Sequence, residues 1–182
     1  MTAPTRLSLA ALVLALAGCA TDGARLYGSS YPSYAPSVAQ TAAGDGPLPV
    51  SMTGAPFAPS EVVAAMNALP NVHRLVFAAD ARPGPNGYRI ALSFDANTPS
   101  PCGPGQAVGY PWPKHAGSGQ VVAALCRHGG TISRTAGLFP ETASASDPKF
   151  RRFMSAVVEQ LMPPFETDRI GGDGCARPRP EC

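Results

Sequence analysis

Charge is scarce in this chain, and lysine is the scarcest of the charged residues. Asp, Glu, Lys and Arg make up 14% of 182 residues, the formal net charge is +2, and Lys114 and Lys149 are its two lysines. Basic and acidic residues are interspersed, with no basic run and no alternation of basic with aromatic side chains. That excludes the electrostatic footprint of a nucleic-acid surface. No glycine-rich turn follows a strand pattern and opens a helix, which excludes a nucleotide-phosphate loop. CxxC and HxxxH spacings are absent, and with them the usual signatures of a zinc site. Beyond the first twenty residues no apolar run approaches the ~20 needed to span a bilayer. No internal repeat of solenoid length is present.

What is present begins at the amino terminus. Met1 to Arg6 carries one positive charge and no acid, and Leu7 to Ala17 reads LSLAALVLALA. Ala17 and Gly18 then lead into Cys19. Basic start, short apolar middle and small-residue cleavage site make the layout of a signal peptide. The polar residues after it, Ala20-Thr21-Asp22-Gly23, contain no basic stop-transfer cluster.

Leu16-Ala17-Gly18-Cys19 resembles the lipobox of bacterial lipoprotein precursors, a resemblance that covers the first nineteen residues. It implies removal of residues 1–18 and acylation of the Cys19 thiol by a diacylglyceryl group carrying palmitate-like chains. A third chain is often added at the new amino terminus. Small residues suit the peptidase, and a thiolate is the nucleophile that lipid transfer requires. One chain alone anchors marginally, so the multiple chains imply durable attachment to the bilayer. The resemblance further implies a cell-envelope location facing the periplasm. Ala20, where an Asp often marks inner-membrane retention, favours the outer membrane. The alternative is an ordinary secretory signal with Cys19 as a spare thiol.

With Cys19 assigned to lipid, Cys102, Cys126, Cys175 and Cys182 remain, an even number in an oxidising compartment, where disulfides are the default. Three pairings are possible. Proximity along the chain favours Cys102 with Cys126 and Cys175 with Cys182.

Residues 19–51 read as a lipid-anchored flexible tether, with GSSYPSYAPS and AAGDGPLP supplying turn-formers and no sustained apolar period. A helix is predicted from Pro59, with Val62, Val63, Met66 and Leu69 on one face and Pro70 ending it. Val72 to Ala78 reads as a strand, then Asn86-Gly87 as a turn. Tyr88 to Asp95 alternates, with Tyr88, Ile90, Leu92 and Phe94 on one face and Arg89, Ala91, Ser93 and Asp95 on the other. Residues 97–118 form a long Pro/Gly-rich loop. Two strands, 119–127 and 131–137, flank a His128-Gly129-Gly130 turn. A second helix is capped by Asp147 and carries Phe150, Phe153, Met154, Val157, Val158 and Leu161 at helical spacing. The expected fold is therefore α+β. A two-layer domain over 52–165 packs an antiparallel sheet of about four strands, in α-β-β-β-β-α order, against two helices. An irregular Cys-containing tail, 166–182, follows.

Candidates for chemistry are sparse. Cys126 and His128, with Cys102 and His115 brought near by the loop, could form a zinc site or a thiol nucleophile with a histidine base. Compartment favours paired cysteines instead. Ala116-Gly117-Ser118-Gly119-Gln120 matches a nucleophile elbow only loosely, and it precedes a strand where an elbow precedes a helix. Asp80 and Asp95 flank the first hairpin as isolated carboxylates. Arg89, Arg127 and Arg134 fall where they could share a sheet face and attract anionic groups. Tyr110, Trp112 and His115 sit in a proline-stiffened loop, the composition of an interface anchor; the competing assignment folds Trp112 back as a cap on a small core.

The sequence thus predicts a non-enzymatic binding or assembly module of the envelope. It would be held to the lipid bilayer by Cys19, have an envelope protein or cell-wall partner and no nucleic acid, and carry no cofactor beyond the covalent lipid. The alternative is a small periplasmic enzyme or metal-handling protein using Cys126, His128, Cys102 and His115.

Overall fold

The structure, a computed structural model, describes residues 24–164 apart from 80, 95–100, 104–117, 141 and 143. Nine elements follow one another among the described residues. They are β1 (Arg25–Ser30), α1 (Pro36–Gly44), β2 (Leu48–Thr53), α2 (Pro59–Asn67), β3 (Phe77–Ala79), β4 (Tyr88–Ser93), β5 (Ser118–Arg127), β6 (Gly130–Pro140) and α3 (Pro148–Leu161). The strands form a single six-stranded sheet in the order β1-β6-β5-β4-β2-β3.

This overturns the expected antiparallel sheet of four strands packed on two helices. The sheet is mixed: β2 runs parallel to both β3 and β4, whereas β4–β5, β5–β6 and β6–β1 are antiparallel. Parallel neighbours need a crossover, and α2 supplies it between β2 and β3. The element order differs for the same reason, because two strands and a helix lie in the stretch expected to be a flexible tether. Residues 25–53 are built into the domain.

Each of those elements has a local cause that a search for large apolar residues at helical spacing passes over. Pro36 opens α1 at its first turn, and the helix buries only Ala39 and Ala42, small residues that leave little hydropathy signal. β2 alternates, with Leu48, Val50 and Met52 turned to the core and Ser51 and Thr53 away from it. β1 is an edge strand, and its register with β6 shifts between Tyr27 and Ser30. Gly28 takes φ 49 inside that irregularity.

The stretch expected as a strand from Val72 is strand only from Phe77. Asn71 holds the preceding turn through side-chain bonds to both the N–H and the C=O of Leu75, and Arg74 adopts φ 54. Asn67 repeats the device one step on, bonding the N–H and C=O of Phe77 through its side chain at 2.9 Å each.

α2 and α3 lie on one face of the sheet and close the core there. Glu61 accepts a hydrogen bond from the Ala58 N–H at the start of α2, and Asp147 accepts from the Lys149 N–H at the start of α3. Tyr88, Ile90 and Leu92 from β4, and Val121, Ala123 and Leu125 from β5, meet the Phe150, Phe153, Met154, Val157 and Leu161 face of α3 in one buried cluster. Phe139 stands edge-on to Phe150 at 5.5 Å and tilted to Phe153 at 5.7 Å, and Phe57 stands edge-on to Phe150 at 5.2 Å. The β5–β6 hairpin closes with a two-residue turn in which His128 and Gly129 both take positive φ, 49° and 83°.

Candidate functional site

A sheet with helices on one face leaves the other to be covered or used. Ser51, Thr53, Arg89, Ala91 and Ser93 turn to that second face from β2 and β4, and Val122, Ala124 and Cys126 from β5. Most of these residues are small, so a backbone segment can lie directly on the sheet. Cys102 does so: it is disulfide-bonded to Cys126, with Cα atoms 5.5 Å apart, and forms a buried patch with Ala91 and Ala124. The Arg89 guanidinium fixes the same segment from below, Nη2 donating to the Cys102 carbonyl at 2.9 Å. Gly103 approaches the hairpin turn so closely that a Cβ on it would stand 3.1 Å from the Gly129 carbonyl oxygen.

Beside this strap a cleft of about 240 Å³ remains, lined chiefly by Ser51, Thr53, Arg89, Ser93, Pro101 and Gly103. Its chemistry is hydroxyl and guanidinium. Such a lining can hold an anionic or hydroxyl-rich group. Among the described lining residues there is no carboxylate, thiol or imidazole beside the Ser51, Thr53 and Ser93 hydroxyls.

Several residues singled out from sequence lie elsewhere. Arg127 does not share the open face with Arg89. Alternation along β5 sets it with Leu125, and its guanidinium stacks over the Tyr88 ring at 5.2 Å while Nε donates to the Asn86 carbonyl at 3.3 Å. Arg134 pairs with Ala124 and therefore does belong to the open face. His128 is carried by the turn after Cys126, but its ring lies over Gly87, where a Cβ would stand 2.5 Å from Cε1. His73 Nε2 is 2.9 Å from the Met162 carbonyl oxygen, beyond the far end of α3.

The disulfide uses both Cys102 and Cys126, so neither sulfur is available as nucleophile or metal ligand. Among the described residues no group of three or more His, Cys, Asp or Glu could hold a metal ion. No helix among them is long and apolar enough to cross a membrane. Cys19, Tyr110, Trp112, His115, Cys175 and Cys182, and with them the carboxylates Asp80 and Asp95, lie outside the described residues.

The sequence reading missed the second cavity wall. Ser51 and Thr53 belong to β2, which the expected boundary at residue 51 cut in two. The signal was present in the alternation Leu48, Val50, Met52 against Ser51, Thr53.

No family model matches this chain, and no curated protein matches it. Among solved structures, a point variant of the PelC dodecamer from Paraburkholderia phytofirmans is similar with a TM-score of 0.36 and 15% sequence identity, over 78% of this chain and 94% of that one. A likeness of that size carries no argument about this chain.

Proposed function

We propose that this protein is a membrane-anchored bacterial envelope lipoprotein that acts without catalysis, as a binding or assembly module in the periplasmic space. The observation that carries the reading is Leu16-Ala17-Gly18-Cys19 at the end of a short apolar run. The acylated Cys19 holds the domain on the bilayer, with Ala20 directing it to the outer membrane. A lining of Ser51, Thr53, Arg89 and Ser93 suits retention of an anionic or hydroxylated group of an envelope component. The thiol and metal alternative loses its sulfur donors to the Cys102–Cys126 bond.

The test is growth of cells expressing the tagged full-length protein on an alkyne fatty acid, followed by fractionation and crosslinking. The wild type incorporates label and sediments with outer membranes, and Cys19→Ser does neither. An unlabelled, soluble wild-type protein overturns the anchoring. Labelled protein that crosslinks to no envelope component above background overturns the binding role alone.

A further inference from the structure

Resting on that anchored reading, we propose that the end of the domain formed by the start of β1 and the first turn of α3 lies on the anionic phospholipid headgroups of the anchoring leaflet. The first observation is length. The first strand begins at Arg25, six positions on from the lipidated Cys19. Even fully extended that stretch reaches roughly 20 Å. A domain whose tether was expected to run to residue 51 would ride free of the surface; this one is held against it.

The second observation is which end is held. A Cβ on Gly137 would stand 2.8 Å from the Arg25 carbonyl oxygen and 3.0 Å from Phe153 Cε2. Further on, the Tyr31 hydroxyl donates to the Gln160 carbonyl at 2.7 Å and the Tyr34 hydroxyl to the Pro163 carbonyl at 2.9 Å. β1 and the segment after it therefore run alongside α3 in the same direction. The chain enters the domain within about one helical turn of Lys149 and Arg152, and leaves the far end to Gln160 and Pro163.

The third observation is charge. Arg25, Lys149, Arg151 and Arg152 are all exposed at the near end. That gathers one of the two lysines and a quarter of the twelve arginines of a charge-poor chain at the point of anchorage. The acidic groups described there are Asp147, which accepts the Lys149 N–H, and Glu61, which shares a shallow hollow with Arg151. Basic side chains within a Debye length of an anionic leaflet are attracted to it. At the opposite end Leu69, Val72 (61% exposed) and Val76 (57% exposed) are exposed, next to the His73 contact with Met162, and the exposed charges there are one cation, Arg74, and one carboxylate, Glu159.

The experiment is hydroxyl-radical footprinting of the full-length acylated protein in vesicles of phosphatidylcholine with or without about 30% phosphatidylglycerol, a charge density on the scale of an anionic leaflet. Acylation is verified first by intact mass. The expected result is at least threefold slower modification of the peptide spanning 148–152 in the anionic vesicles, with the peptide spanning 69–76 unchanged. Arg25→Ser/Lys149→Ser/Arg151→Ser/Arg152→Ser removes that protection while the protein stays anchored. A twenty-residue Gly/Ser insertion between Asp22 and Gly23, which touches no described residue, reduces it as well. Equal modification of both peptides at either lipid composition, in protein of acylated mass, overturns the orientation. An unacylated mass from cells that acylate other lipoproteins overturns the anchored reading instead.

Discussion

The Tyr34 phenol is held by a hydrogen bond to the Pro163 carbonyl, and its pKa is pushed up to about 12, by burial first and by the neighbouring Tyr31 second. The folded state keeps a proton that the unfolded chain releases near the ordinary value of 10.0. Stability that is fully present below pH 10 is therefore lost as pH rises toward 12. Urea unfolding of the wild type should show that fall, and Tyr34→Phe should lack this part of it while losing about 1 kcal/mol at neutral pH from the missing hydrogen bond. Parallel pH profiles for the two proteins would contradict the assignment. At this scale the sequence was partly legible. Asp147 as a cap and the alternation of Tyr88 through Ser93 were readable because both depend on immediate neighbours. Tyr31 and Tyr34 fell within the expected tether, and nothing local marks their partners Gln160 and Pro163, which lie 129 residues away.

Among the elements, the helices with large apolar faces and the β5–β6 hairpin were legible, because periodicity and turn chemistry are local. α1 was not, since two buried alanines leave hardly any amphipathic signal. The Cys102–Cys126 bond closes a 24-residue separation and straps a short segment over small residues of β4 and β5. Cys102→Ala/Cys126→Ala should destabilise the protein by on the order of 3 kcal/mol on the loop-closure model. It should also uncover Ala91 and Ala124, which differential amide exchange of β4 and β5 would register. An unchanged urea midpoint, with unchanged exchange there, would show that Arg89 and the Gly103 contact hold the strap alone. The cleft was half legible: Arg89 and Ser93 came from the alternation of β4, whereas Ser51 and Thr53, though they alternate too, fell at the expected tether boundary, and only the parallel pairing of β2 with β4 sets them beside Arg89.

The molecule as a whole is a mixed sheet with its core on one side, and residues 25–53 are part of that architecture. Leu48 and Val50 are 2% and 3% exposed, and β1 covers the edge of β6. A chain shortened to begin at residue 52 should therefore fail to fold, where a domain spanning 52–165 on a flexible leader would tolerate the loss. Far-UV circular dichroism and urea titration of the shortened chain decide between them, and a cooperative transition matching the full-length protein would refute the structural role. What the sequence determined by itself is the lipobox-like run ending at Cys19, the buried face of α3 and the Val62, Val63 and Met66 part of that of α2, the alternation of β4 and the β5–β6 hairpin, all features encoded within a few residues. Only the tertiary structure decided that residues 25–53 join the sheet, that β2 runs parallel between β3 and β4, and that Arg127 turns to Tyr88 rather than to Arg89. Strand order and parallel pairing arise from contacts between residues far apart in the chain, whose partners leave no periodic trace in either segment.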